Sequence, residues 1–496
     1  MTRPIYKHAW FDRHVKKGLP IFLSIALAGS LPGAAFAKDT SNSSKAKSSD
    51  QLSLSEYLNE VAQNHLGYKA ALDLSKAARQ QAQEGSLLLA PNFFGEGSTG
   101  TLGLQNPFSN SNALNSKSYI LGLNKTTTFG LSGRFYFTQQ DLNKSGIPTY
   151  TTESLQLELK QSLWRNFGGT EVRSQIEAIE SGAMAKSYAQ SFLTKSLLLE
   201  AESFYWNLAL ARKLVSIQKD SVERAQKIYD WTQRRVKLSL SDRAEMLQAS
   251  TNLQARKLEL RNAQDQERAA AQSFNSSRGM LSNQVAETLQ VLSSELVATF
   301  VTPERNQRRE DVLSAEMEAR AKEASALANQ ERNKPTFELF GKTPVSEPSS
   351  DAGTNPLANY VATSSQPITL IGLRLNVPLD FDALEKIKEG YAAEANAAHQ
   401  AFKRKVFEEE KDWQDLTSKF SQAKERLILY EDLVNVQHQK LNHERDRQQR
   451  GRSTLQQVLL FETDFEQAQL GHLRTLAEVL LLNAQMKLYG VSYESR

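Results

Sequence analysis

The sequence predicts a mixed fold: amphipathic β-strands feed long coiled-coil helices, and the whole arrangement is given twice along the chain. Three observations carry this. In LQLELKQSL (155–163), Leu155, Leu157 and Leu159 alternate with Gln156, Glu158 and Lys160, the two-residue period of a half-buried strand. From Thr149 to Thr302 there is no proline, and beyond Gly169 apolar residues fall at helical spacing. The order of helix, strands and long helix pair then recurs in the second half.

The chain opens with features of an export leader, expected to cover 1–37. Lys7, His8, Arg13, His14, Lys16 and Lys17 form a basic start, Leu19 to Leu31 supply an apolar run, and Ala35-Phe36-Ala37 reads as a cleavage site. The leader's five Lys/Arg against Asp12 account for the whole formal charge of +4. The remainder is near neutral, so no basic footprint for nucleic acid is expected. Residues 38–51 are polar and expected to be disordered. There are no cysteines, which excludes disulfides and thiol chemistry. No later segment approaches 18 consecutive apolar residues, so any membrane insertion would require a closed β-barrel.

The first repeat is assigned to 52–302. Leu52 to about Leu89 reads as helical, Pro91 to about Leu163 as strands, and 171–236 and 242–281 as a helix pair. The second repeat is assigned to 303–496. It has a helix at about 310–332, short strands after Pro335, and two long helices in the proline-free stretch after Leu379. PNFFGEG at 91 answers PTFELFG at 335, LELKQSL at 157 answers LRLNVPL at 373, and SDRAEMLQAS at 241 answers STLQQVLLFE at 453, with Ser162 standing where the second copy has Pro378. In 242–281, Met246, Ala249, Leu253, Leu260, Ala263, Ala270 and Phe274 share one stripe, interrupted only by Arg256 and Glu267. So narrow a stripe suits coiled-coil packing.

No catalytic, metal-binding or cofactor constellation is found, and an enzyme is not expected. His438 and His443 are five residues apart and fall on different sides of a helix. EEEKD at 408–412 reads as a solvated helix face.

With the leader, the duplicated units, QSLWRNFGG in one copy and NVPLDF in the other, the chain resembles the TolC-type outer-membrane efflux channels. That family's Gly, Thr/Ser-rich turn and Asp-Val-Leu-x-Ala motif have loose counterparts in SLSDRAEMLQA (239–249) and GRSTLQQVLLF (451–461). The resemblance implies a homotrimer in the Gram-negative outer membrane, its strands joined in one β-barrel and its helices forming a periplasmic coiled-coil tunnel. It implies an exit duct for tripartite efflux or type I secretion, working with a periplasmic adaptor and a proton-driven or ABC-type inner-membrane pump. The competing reading is an exported structural coiled coil that tethers the outer membrane.

The resemblance also assigns sites. Asp242, Glu245, Gln457 and Leu460 fall at the periplasmic entrance, where the family's acidic position is kept as Glu245 but becomes Gln457 in the second copy. The adaptor-docking turns would hold Arg234, Arg235, Ser239, Arg450, Gly451 and Arg452. Trp164, Phe167, Gly168, Gly169 and Pro378 mark the strand-to-helix transitions, where aromatic rings favour the membrane interface. The first copy carries about 28 extra residues between Pro91 and Ser162 relative to Pro335–Pro378. They include YILGLNKTTTFGLSGRFYF (119–137), which reads as a hairpin. Two placements follow. Either the hairpin joins the barrel, giving six strands per chain and eighteen per trimer instead of the family's usual twelve, or it lies above or beside it.

Overall fold

The computed structural model describes residues 51–104, 112–144, 150–298, 300, 305, 307–344 and 369–490. The expected leader and residues 38–50 lie outside them, as do parts of the polar flanks of the hairpin. A short strand β1 (Gln51–Leu52) leads into α1 (Leu54–Asn64), α2 (Leu66–Gln81) and the single turn α3 (Glu84–Leu87). Gln51, placed by the sequence at the end of a disordered segment, is paired in β1 instead. Ser53 and Glu56 form a reciprocal capping box at the start of α1. The single helical segment expected here is broken at His65, whose backbone is extended and whose ring caps the next helix by accepting from the Tyr68 N–H at 3.0 Å.

Four strands follow: β2 (Asn92–Leu104), β3 (Asn112–Thr126), β4 (Leu131–Lys144) and β5 (Tyr150–Ser162). Then come α4 (Thr170–Lys237), α5 (Arg243–Ser277), the strand β6 (Thr288–Leu289), α6 (Ser294–Ala298) and α7 (Glu310–Arg332). The second half supplies β7 (Thr336–Pro344), β8 (Leu370–Asn376), α8 (Phe381–Gln449) and α9 (Leu455–Met486). α4 has 68 residues, a length of about 100 Å at 1.5 Å per residue.

β2, β3, β4, β5, β7 and β8 form one antiparallel sheet in that order. The hairpin β3–β4 is thus inside the ladder, paired along its length on both sides. Register sorts the two faces. Phe93 lies opposite Leu123, Leu123 opposite Phe135, and Phe135 opposite Leu157; further on, Gln161 lies opposite Leu339 and Leu339 opposite Leu373. This face is apolar yet exposed: Phe93, Leu121, Leu373 and Leu375 each present about half or more of their surface. The other face carries Arg134, Glu158, Lys160, Glu338 and Arg374, with Lys160 and Glu338 paired at 2.9 Å. On it the Phe94 and Tyr136 side chains cover Gly122 and the Phe340 ring covers Gly372. Arg134 lies over Phe94 and Tyr136, and Arg374 over Phe340.

The helices form a layer below the sheet. α4 packs on α2 and α7 near the sheet and on α5 and α9 further away, while α8 packs on α7 and then α9. The lateral order is therefore α2–α4–α7–α8 at the sheet end and α5–α4–α9–α8 at the far end. Among the described residues both layers stop at an unpaired edge on each side, β2 and α2/α5 on one, β8 and α8 on the other. Along α8, Phe407, Ile428, Leu429 and Val436 are largely exposed.

Midway down, Tyr57 stacks on Phe274 at 4.3 Å and Tyr205 meets Trp206 edge-on at 5.0 Å. Tyr205 donates to the Leu52 carbonyl at 2.8 Å, beside the parallel β1–β6 pair. EEEKD is not a solvated face throughout. Glu409 is fully buried, accepts from the Arg309 N–H at 2.7 Å and pairs with Arg305 at 2.6 Å, fixing the start of α7. An inward carboxylate amid outward ones leaves no periodic signature, because its partners lie about a hundred residues away.

Burial pushes the Tyr57 phenol from 10.0 up to about 12, against the opposing hydrogen bond with Ser277. Because the folded value is the raised one, this stabilisation is complete below pH 10 and is lost as pH rises through about 12, an effect of about 2–3 kcal/mol. Tyrosinate absorbance should therefore show a late component that Tyr57→Phe diminishes. A wild-type titration finished near pH 10 would contradict the packing described.

Candidate functional site

The far end of the helical layer is built from two helical hairpins closed by matching turns. After α4, Ser239 takes a left-handed backbone, φ 58°. The Leu240 N–H donates to the Arg235 carbonyl at 2.8 Å and the Ser239 N–H to Val236 at 2.9 Å. After α8, Gly451 has φ 72°, the Arg452 N–H donates to the Arg447 carbonyl at 2.8 Å and the Gly451 N–H to Gln448 at 2.9 Å. Ser239 thus holds the conformation that Gly451 holds, although serine adopts it less readily. Each turn is also closed by a guanidinium: Arg235 donates to the Leu240 carbonyl at 2.9 Å and Arg447 to the Arg452 carbonyl at 3.3 Å.

The candidates from sequence lie around these turns. Asp242 is the N-cap position of α5 and is exposed; Glu245, in its first turn, accepts from the Ser241 hydroxyl. Thr454 caps α9 through the Gln457 N–H at 3.3 Å, and the Gln457 and Leu460 side chains are exposed. Arg235 is a local staple that also lies over Trp231 at 4.7 Å, so it is not available in the way Arg234, Arg450 and Arg452 are. Those three are exposed and make no ion pair among the described residues.

A buried ionic network behind the turns escaped sequence reasoning. Glu462, 6 % exposed, accepts from Arg224 of α4 at 3.0 Å and from Arg445 of α8. Glu466, 4 % exposed, accepts from Gln218 of α4 at 2.8 Å and from Arg256 of α5. Arg256 also reaches Thr463 at 3.0 Å and Glu259 at 2.9 Å. One turn of α9 therefore ties all four far-end helices together. Burial raises the Glu466 carboxyl above the usual carboxylate range, opposed by Arg256 and Gln218. The only sequence trace was Arg256 interrupting an apolar stripe; its partner is about two hundred positions away.

At the other end stands the joint between sheet and helices. Asn166, Gly168 and Gly169 all have positive φ. Asn166 accepts from the Gly169 N–H at 2.9 Å and, through its side chain, from the Val172 N–H at 3.3 Å. Arg165 binds both carboxylate oxygens of Glu171 at 2.9 Å. Trp164 and Phe167 are half or more exposed beside it, as are Leu379 and Phe381 at the second joint, where Pro378 separates β8 from α8.

Among the described residues no His/Cys/Asp/Glu group of three or more is placed to hold a metal, and no helix is long and apolar enough to cross a membrane. No family model matches the chain, and no curated protein matches it. Solved structures do. The outer-membrane channel OprN aligns at TM-score 0.64 and 16% identity, over 88% of this chain and 90% of that one. The outer-membrane protein VceC of Vibrio cholerae aligns at 0.64 and 15%, over 89% and 97%. The open state of the Neisseria gonorrhoeae outer-membrane channel MtrE aligns at 0.60 and 16%, over 88% of each. The chain has the fold of these outer-membrane channels.

Proposed function

We propose that this chain is the subunit of a trimeric outer-membrane duct that serves as the exit of a tripartite efflux or type I secretion system. The observation that carries the reading is the exposed apolar band on one face of the sheet, which stands above a helical layer about 100 Å long. An exposed apolar sheet face with a polar reverse is what a lipid-embedded, water-filled barrel requires. A soluble tether has no use for it. Trp164, Phe167, Leu379 and Phe381 at the sheet's base suit the inner membrane–water interface.

The unpaired edges support several copies arranged head to tail. β2 and α2/α5 lie on one side of the chain and β8 and α8 on the other, so each copy would meet the next through two different surfaces, the arrangement that closes rings. The exposed apolar residues of α8 would be covered by the neighbour's α5. The matched turns at Ser239 and Gly451, and the paired arginine–aromatic–glycine stacks of the sheet, support an internal duplication.

The helices would cross the periplasm and place Glu245 and Gln457 at the entrance. Arg234, Arg450 and Arg452 would be open to adaptor carboxylates. Such a duct needs no cofactor and hydrolyses nothing, since the pump would supply energy and select the cargo. Purified full-length protein should be trimeric by mass photometry, give discrete conductance in planar bilayers, and co-purify with an adaptor and a pump. A monomeric rod that never inserts would favour the tether.

A second prediction concerns the entrance. Three Gln457 side chains around the axis carry no charge, whereas three aspartates would form a cation-attracting ring. Gln457→Asp should tighten block by a trivalent cation by about tenfold, or about 1.4 kcal/mol. If wild type is already blocked as tightly as the variant, Gln457 does not line the constriction and Glu245 is the next position to test.

A further inference from the structure

Resting on the trimeric duct, we infer that the β3–β4 hairpin is a full membrane-spanning part of the wall, so that three copies close an eighteen-stranded barrel wider than a twelve-stranded one. Three independent observations converge on this. The hairpin is not appended to the sheet: β3 pairs with β2 from Asn92↔Asn124 to Leu104↔Asn112, and β4 pairs with β5 from Leu131↔Gln161 to Leu142↔Tyr150.

The hairpin also reaches the base of the sheet. Its turn, Thr127–Gly130, packs directly on the strand-to-helix joint. A Cβ on Gly169 would lie 1.9 Å from the Thr128 carbonyl oxygen, and one on Gly130 would lie 2.6 Å from the Asn166 carbonyl oxygen. A hairpin that only extended the barrel above the membrane would not have its turn seated there. It descends as far as β5.

The third observation is chemical. On the apolar face of β3, Tyr119, Leu121 and Leu123 are about half exposed, bracketed on the same face by Lys125 below and Lys117 above. The eight-residue interval between the lysines spans about 27 Å along the strand, or about 21 Å of height at a 40° tilt. That approaches the height of an outer-membrane apolar band, with the lysines placed to reach the headgroups at either side. Phe135 continues the band on β4, directly opposite Leu123 and Leu157. The occupant of this face is lipid acyl chain.

The dimensions agree. Six tilted strands at 4.8 Å spacing cover about 38 Å of circumference. The four helices below them cover about 36 Å at 9 Å spacing. Four strands alone would cover about 25 Å. An eighteen-stranded barrel would be about 36 Å across between backbones, against about 24 Å for twelve. The barrel then places no restriction on any solute that the helical tunnel passes, and selection by size falls to the far-end turns.

Because the chain has no cysteine, single-cysteine variants of the full-length protein in lipid vesicles each carry one nitroxide. Leu121→Cys and Phe135→Cys report on the hairpin, Ile120→Cys on its lumen side, and Leu157→Cys and Leu373→Cys on the wall common to both placements. The expected result is that labels at 121, 135, 157 and 373 are relaxed mainly by oxygen, and the label at 120 by a water-soluble nickel complex. Labels at 121 and 135 outside lipid, with 157 and 373 still in lipid, would overturn the inference and leave the duct standing. If 157 and 373 also failed to report lipid, the duct itself would fall. Electron cryo-microscopy of the wild-type trimer, free of any substitution, should count eighteen strands across the membrane. Twelve, with residues 119–139 outside the ladder, would likewise overturn it.

Discussion

Glu462→Ala is expected to destabilise the far end of the helical layer by about 3–5 kcal/mol, because removing one partner of a buried ionic group leaves the others uncompensated. Glu462 is the acceptor shared by Arg224 and Arg445, so its loss leaves two guanidinium groups facing each other between three helices. The side chain is 6 % exposed, and solvent cannot easily replace it. Arg224 belongs to the first helical hairpin and Arg445 to the second, so the same change removes one of the ties between the hairpins and leaves those of Glu466 to Gln218 and Arg256. The helices of the variant should become protease-sensitive at lower temperature, and in the proposed duct it should conduct more than wild type in bilayers. Glu462→Gln keeps an acceptor in place and should fall between the two. Unchanged conductance together with unchanged thermal stability in Glu462→Ala would show that the network bears no load.

Gly169→Ala should be nearly as damaging, for a different reason. Gly169 has φ +77°, a conformation that costs a residue with a Cβ about 1–2 kcal/mol. Its added methyl would also fall 1.9 Å from the Thr128 carbonyl oxygen, so the β3–β4 turn or the start of α4 must move, at a further cost of about 1–3 kcal/mol. Gly168 provides the control. It too has positive φ, but nothing lies within 4 Å of a Cβ built there. Gly168→Ala should therefore show only the backbone cost. The comparison is made on thermal unfolding of the purified protein. Equal shifts for the two variants would mean that the turn does not rest on the joint as described.

Much of this architecture could be read from the sequence because its signals are local. The alternation at Leu155–Lys160 located β5, helical spacing in the first proline-free stretch located α4 and α5 to within a few residues, and the second such stretch announced α8 and α9 without their bounds. Turn chemistry placed the hairpin's turn at the Thr-Thr-Thr-Phe-Gly run. What escaped was set by distant partners. The break at His65 is a capping event that costs only one residue of helical pattern. β1 and β6 are two residues long and exist only because they meet each other, beside Tyr205. Glu462 and Glu466 lie on a helix whose charged residues otherwise read as surface. Their burial comes from Arg224, Arg256 and Arg445, three side chains on three other helices. Arg235 was placed with the exposed arginines of the turns, but the carbonyl it staples appears only once the turn is formed.

The open edges of the sheet also dictate the order of events before any duct exists. Along β2 and β8 the outward-facing N–H and C=O groups have no strand partner among the described residues, and hydrocarbon offers none, at several kcal/mol for each group left bare. A lone chain therefore has no stable resting place in a bilayer, however apolar its outer face. For the proposed duct, insertion and association would then be a single concerted event, and its rate should rise more steeply than linearly with the supply of unassembled chains. On the proposed assembly, each chain would travel through water until its companions arrive, carrying an exposed lipid-seeking surface that something in its surroundings would have to keep from aggregating.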